Sequence, residues 1–390
     1  MVINMSSIKQ LIQELCPDGV SYVELETVCQ ISKGVQFNKK NMHDVGSYPV
    51  INGGINPSGY IEQYNQDKHT ITISQGGASA GYVNWIETKF WAGAHCYILK
   101  PKENVNNRYL FHFIKSKEYK LQECQYGAGI PALAKSTIST LEIPVPPLPV
   151  QREIVRILDN FTEHTAELTA ELTARKKQYE YYRDILLKSL KEIKSVKLNS
   201  VCEVYDGTHQ TPKYTKNGVP FVSVENIDDL YGTTKFISNE DYLKYKIRPR
   251  IGDVFMTRIT AGIIGRCAVI DRNDDLAYYV SLALLRPNQS VLDSKYLKYY
   301  LESRWGRREL AKRILWDATP TKINKDDIGK IYISIPPIDV QKRLVLVLDN
   351  FETLCNDLTS GLPAEIKARQ KQYEYYRDKL LNFPEYTKQR

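Results

Sequence analysis

The sequence lacks most of what would anchor a chain in a membrane or staple it covalently. None of its 390 residues fall in a run approaching the roughly 20 apolar residues of a membrane span. The opening stretch MVINMSSIKQLIQELC has no long apolar core, so no secretory signal is expected there. Cysteines stand at Cys16, Cys29, Cys96, Cys124, Cys202, Cys267 and Cys355, an odd number with no C-x-x-C pair. That pattern argues against a disulfide framework or a zinc site and for reduced thiols, as in a cytoplasmic protein.

Catalytic motifs are missing too. The glycine-rich QGGASAG (Gln75–Gly81) lacks the G-x-x-x-x-G-K-[ST] spacing of a phosphate loop and reads as a turn or close backbone approach. An Asn/Asp-Pro-Pro-aromatic motif, expected of amino-group DNA methyltransferases, is absent: NPSGY at Asn56 fails it, and the Pro-Pro pairs lack the acid and the aromatic. The histidines His43, His69, His95, His112, His164 and His209 are scattered and form no H-E-x-x-H pattern. His95 and Cys96 lie in the apolar run FWAGAHCYIL and read as a core pair rather than a nucleophile. No acidic cluster with a nearby lysine suggests a metal-dependent nuclease. Together these absences favour a binding protein.

What is present is basic and tyrosine-rich. The formal charge is +8, and 27 tyrosines interleave with Lys and Arg, a mixture suited to a polyanion such as nucleic acid. Hydrophobic content of 42% and charged content of 25% are those of a soluble globular protein, and the length implies two or three domains.

The chain is also a repeat of two long units. ARKKQYEYYRDILL and ARQKQYEYYRDKLL carry the same six letters from Tyr179 and from Tyr373. Upstream, IPVPPLPVQREIVRILDNF (Ile143–Phe161) aligns with ISIPPIDVQKRLVLVLDNF (Ile333–Phe351). The offset is 190 there and 194 at YEYYRD, so four extra residues lie between Phe351 and Ala368. Fainter echoes keep the same order: VELETVCQISKG from Val23 with VKLNSVCEVYDG from Val196, and NNRYLFHFIKS with DSKYLKYYLES. They indicate duplicated domains of about 150 residues.

Between Ile154 and Leu186 a mostly apolar seam steps by 4 and 3, and no Pro or Gly interrupts Gln151–Glu192, so one helix of about 60 Å is expected. Gly361 and Pro363 predict a break in its counterpart, with the helix resuming at Ala364. HTITISQGG, FWAGAHCYILKP, VPFVSVENI and GDVFMTRITAGIIGRCAVI read as strands. The expected fold is α+β: two similar domains separated by two long antiparallel helices forming a coiled-coil spacer, with nearly circular pseudo-twofold symmetry. The expected boundaries are 1–147 for the first domain, 148–194 for the first spacer helix, 195–337 for the second domain and 338–390 for the second helix, broken near 361–363.

These blocks resemble the specificity subunit of type I restriction–modification systems. The resemblance is carried by the paired PP…VQ(R/K)…LDNF and ARxKQYEYYRD(I/K)LL blocks, by SGLPAEI, and by the tandem TAELTAEL (Thr165–Leu172), which points to the type IC branch. It implies two target-recognition domains, each reading half of a bipartite asymmetric DNA site across a spacer set by the helices. It implies no catalysis and no cofactor in this chain. Two modification subunits, holding S-adenosylmethionine and methylating adenine, would dock on the conserved regions. Restriction subunits using ATP and Mg would join them. On the residues alone, a stand-alone DNA-binding protein and a solitary methyltransferase remain open.

Candidate DNA readers are polar loop residues beside basic ones. In the first domain these are Lys39, Lys40, Asn52, Ser74, Gln75 and Lys135. In the second they are His209, Gln210, Thr211 and Lys213 in DGTHQTPKYTKNG, Thr257, Arg258 and Thr260 in MTRITAG, and Thr321 and Lys322 in TPTKINK. Arg and Lys suit guanine, Asn and Gln adenine. Tyr179 and Tyr182 read as seam residues, whereas the off-seam Tyr181, Arg183, Tyr375 and Arg377 are candidates for partner docking.

Overall fold

The computed structural model describes residues 5–127, 129, 131–188, 193, 195–356 and 360–386. The chain divides into two compact units, Met1–Thr169 with Glu365–Arg390, and Ala170–Ala364. Both divisions fall inside a helix. One helix runs from Leu148 to Lys188; its counterpart is two helices, Ile338–Asn356 and Leu362–Leu380. The second of these resumes two residues before the expected Ala364, with Pro363 in its first turn, where its missing N–H costs nothing.

Within the first unit a four-stranded antiparallel sheet orders Cys29–Lys33, Cys96–Pro101, Thr70–Ser74 and Val83–Ile86. A three-stranded sheet places Tyr48–Ile51 between Tyr60–Ile61 and Trp91–Ala92, the latter pairing parallel. The second unit repeats both sheets. Cys202–Asp206, Leu282–Pro287, Val254–Thr257 and Cys267–Val269 form the larger; Val219–Val222 lies between Phe236–Ile237 and a parallel Ala277–Tyr278 in the smaller. The short echo found in the sequence explains itself here. Val23 and Val196 are the middle residues of two-stranded ribbons, paired with Ile143 and Ile333. Gly34 and Gly207 end the echo because the chain there crosses close to another backbone. A Cβ would collide with the Ala92 and Gly93 carbonyls in one unit and with Tyr278 and Tyr279 in the other.

The repeated blocks make one socket, built twice. Asn106 caps the helix Asn107–Ser116 by accepting from the Arg108 and Tyr109 amides; Asp293 caps Ser294–Glu302 by accepting from Lys295 and Tyr296. The glutamine of each VQ pair is fully buried. Gln151 Oε1 accepts from the Asn106 amide at 2.7 Å, and its Nε2 donates to the carbonyls of Asn104 (3.0 Å) and Pro146 (2.7 Å). Gln341 repeats this with the Asp293 amide (2.9 Å) and the carbonyls of Val291 and Pro336 (both 2.8 Å). A buried amide with its bonds made is tolerable where an unmet one is not. So the glutamine locks the start of each long helix to the cap of the domain's own helix. Tyr109 and Tyr296 add a bond each to the strand beside them, at Pro144 and Ser334.

Candidate nucleic-acid interface

The loops that leave each larger sheet meet at one end of the domain, and the hydrogen bonds that join them correspond position by position. In the first unit Gln75 donates its amide to the His95 carbonyl and accepts from Leu133, while Gly77 donates to Pro131. In the second, Arg258 donates to Ser281 and accepts from Ile323, while Thr260 donates to Thr321. Gln75 and Arg258 each follow the last residue of equivalent strands, Thr70–Ser74 and Val254–Thr257.

The structure brings several of the expected readers together. Asn52 reaches this junction in the first unit: its Oδ1 accepts from the His95 amide at 3.0 Å. Ser74 is buried at the strand end, so its neighbour Gln75, half-buried, is the better placed of the two. Lys39 and Lys40 are exposed in a one-turn helix, Lys39–Asn41, capped by the Asn38 side chain. Lys135 is exposed as the first residue of the short helix Lys135–Ser139. No bond joins Lys39, Lys40 or Lys135 to the Gln75 junction among the described residues.

In the second unit Thr260, Thr321 and Lys322 share the junction with Arg258; Lys322 bridges Ile259 and Leu315. Thr257 is buried, its hydroxyl donating to the Ile263 carbonyl (2.8 Å) and accepting from the Arg266 amide (3.0 Å). That hydroxyl closes the loop that follows. His209, Gln210, Thr211 and Lys213 are exposed in the loop after Cys202–Asp206. The last three line a cleft of about 630 Å³ with Asp206, Asp241, Lys244, Tyr245 and Lys246. His209 Nε2 is 3.8 Å from the Asp206 carboxylate, which also forms an ion pair with Arg258. Arg258 is buried, and desolvation pulls its guanidinium below the usual arginine range.

Reading the sequence missed His95. Its apolar neighbours belong to the core, and Cys96 is buried, but the turn Gly93–His95 sets the histidine on the exposed loop end. Gly93, two residues earlier at the start of that turn, was the available signal. Lys244, Lys246 and Tyr245 were missed for a different reason: they follow the helix Asn239–Leu243, far in sequence from the loop they face. Burial pushes the Cys29 and Cys96 thiols up to about 12, which leaves them inert. Among the described residues no group of His, Cys, Asp and Glu could hold a metal ion. No described helix is long and apolar enough to cross a membrane.

The YEYYRD copies divide their labour. Tyr181 and Tyr375 are exposed, at 62% and 60%. Arg183 is instead buried, stacked over Tyr179 and paired with Asp184. Arg377 lies over Tyr373 and pairs with Asp378, its side chain 15% exposed. Each arginine packs on a tyrosine and pairs with an aspartate of its own helix. Tyr182 stacks on Phe351, and Tyr376, not its seam neighbour Tyr373, stacks on Phe161.

Comparison with known proteins finds relatives that match along most of the chain. The chain is 33% identical to a putative type I restriction enzyme specificity subunit of Haemophilus influenzae, over 88% of this chain and 90% of that one. It is 31% identical to the EcoR124I/EcoR124II type I restriction enzyme specificity subunit of Escherichia coli, over 94% and 96%. The fold is shared with the type I restriction–modification S subunit of M. genitalium, at a TM-score of 0.56 and 17% identity, covering 93% of this chain and 96% of that one. A chain from a structure of type I restriction–modification complex assembly gives 0.58 at 21% identity, covering 94% and 98%. The family model of the type I restriction modification DNA specificity domain matches twice, over residues 17–176 and 191–368, and the chain belongs to that family.

Proposed function

We propose that this chain is the DNA sequence-recognition subunit of a type I restriction–modification complex, and that each unit's loop end reads one half of a bipartite, asymmetric site. The observation that carries the reading is the double construction itself. The same strands and the same glutamine socket are built twice, while the residues at the loop ends differ. A duplicated frame with divergent loops is what two independent half-site readers require. Lys39, Lys40, Gln75, Lys135, His209, Gln210, Thr211, Lys213, Thr260 and Lys322 are exposed or half-buried side chains placed to meet bases or phosphates, and buried Arg258 shares the junction of Thr260 and Thr321. The helices Leu148–Lys188 and Ile338–Asn356 with Leu362–Leu380 set the unspecified spacer. The repeated segments, with Tyr181 and Tyr375 exposed on them, dock two modification subunits that supply S-adenosylmethionine and methylate adenine; restriction subunits with ATP and Mg complete the assembly. This chain itself catalyses nothing and works in the cytoplasm.

Exchange of residues 196–332 for the equivalent segment of a relative tests the reading, with methylome sequencing of cells that also carry the modification subunit. One half of the methylated site is expected to change and the other to persist. A change in both halves overturns independent reading. Labelled S-adenosylmethionine should bind the reconstituted complex and not this chain alone.

A further inference from the structure

The two loop junctions are equivalent in backbone and opposite in chemistry. The strands Cys29–Lys33 and Cys202–Asp206 start level with Pro101 and Pro287 of their partner strands, so Lys33 and Asp206 are equivalent positions. Gln75 and Arg258 are equivalent by the hydrogen bonds described above. The first domain thus carries Lys33 with Gln75, and the second carries Asp206 with Arg258. A carboxylate stands at this position where the neighbouring side chain is an arginine and a lysine stands there where it is a glutamine.

Arg258 is held, but incompletely. Its backbone amide and carbonyl are both bonded, to Ser281 and Ile323, which fixes the residue at the meeting of three loops. Its side chain is 7% exposed, and one terminal nitrogen pairs with Asp206 Oδ1. The buried Nε has no partner among the described residues. A buried donor on a charged group is costly to leave unmet, so the guanidinium is poised for an acceptor that the free protein does not supply. His209, its Nε2 3.8 Å from the Asp206 carboxylate, is exposed with Gln210 and Thr211 in the loop that follows Asp206, so that acceptor comes from whatever the loop end binds. An arginine pinned by a carboxylate loses less freedom on binding, and its planar fork matches the O6 and N7 acceptors of guanine.

We infer that Asp206 is a positioning residue that presents Arg258 to a guanine in the half-site of the second domain, and that Gln75, without a carboxylate beside it, reads a different base at the corresponding place in the first. The inference rests on the proposal that each loop end reads one half-site. An arginine paired with a phosphate would serve all sequences alike, and a purely structural Asp206–Arg258 pair would serve none.

The experiment is selection from duplex pools by the full chain assembled with its modification subunits, randomising the second half-site while the first is kept. Wild-type protein is expected to require guanine at one position of the randomised half. Asp206→Asn should reduce the preference at that position alone by roughly tenfold to a hundredfold, with the first half-site and the salt dependence unchanged. Asp206→Glu should recover part of it, and Arg258→Gln should remove the guanine preference. Selection of no sequence by the wild type would sink the half-site reading itself. Sequence selection without a guanine requirement, or an equal loss at every position in Asp206→Asn, would sink only the present inference. If Arg258→Gln fails to fold, seen as loss of the first half-site and of cooperative melting, Arg258→Lys replaces it and must show the same confined loss.

Discussion

At the base of each long helix the two units solve one problem with different side chains. In the first, His112 is completely buried between Asp159 of the long helix, 2.8 Å from Nε2, and the Tyr373 hydroxyl, 3.0 Å from Nδ1. A neutral ring donating to Asp159 and accepting from Tyr373 satisfies both. In the second, Tyr299 replaces the histidine, its hydroxyl lying 2.5 Å from Asp349 and 2.8 Å from Glu352, with Lys298 on Glu352 at 2.6 Å. The LDNF aspartate is shared, and so is a basic partner, Arg108 at 2.7 Å or Lys295 at 2.6 Å; the buried ring that faces it is not. Burial pushes Asp159 up, but the bonds from His112 and Arg108 outweigh it and hold the carboxyl below the usual range. The lesson is that the repeat keeps the acceptor on the helix and its basic partner, and leaves each domain free to choose the buried ring beside them.

The comparison is tested most severely through helix length. The first long helix is unbroken and carries TAELTAEL; the second carries its own interruption. A third TAEL unit adds roughly 6 Å and a net turn of about 40°, near the twist of one base pair. Coiled coils absorb such a stutter of four by local unwinding. The original methylation site should be abandoned for one whose spacer is one base pair longer, or at most two, with both half-sites intact. Methylome mapping of the variants with one, two and three units reads this directly, and an unchanged spacer would remove Thr165–Leu172 from the ruler.

The glutamine sockets give the next effect. Gln151→Ala and Gln341→Ala each strand one buried amide and two carbonyls, which should cost on the order of 3 kcal/mol. Denaturant unfolding should show similar losses for the two variants. A loss confined to one would show that the sockets are alike in geometry and not in energy.

The smallest effect separates the two helix bases by pH. Burial lowers the His112 pKa further than the Asp159 bond restores it, with Arg108 and Arg377 also disfavouring the cation. The unfolded chain therefore takes up the proton first, and His112 costs stability as pH falls below its usual 6.5. Glu302, raised by burial, has the opposite sign: its contribution is present at low pH and is lost as pH rises through its folded value. Melting between pH 7 and 5 should find a fall in stability that His112→Gln abolishes. A slope that persists in that variant would assign the effect elsewhere.

Much of the frame was legible in the sequence because it is local and repeated. The heptad steps, the Pro-Pro helix starts and the duplicated strands all show in short windows. The helix resumption was displaced by two residues because Pro363 fits inside a first turn as well as before one. Loop chemistry was legible only as residue type. MTRITAG reads as a polar loop, yet Thr257 is a strand end whose hydroxyl is spent and Arg258 is buried against Asp206, 52 residues away in sequence. The burial of Arg183 was not legible either: helical spacing says which face a residue takes and nothing of the ring it stacks on.

The glutamine socket has a consequence for inheritance. Every bond that seats Gln151 or Gln341 ends on backbone, so the socket accepts any domain whose chain passes through the same few positions. Recombination between genes at this seam keeps the amide side chain and the cap, and with them the helix aspartate and the apolar helix face that pack on the domain. New DNA targets could then be acquired in a single crossover, with the fold of the recipient undisturbed.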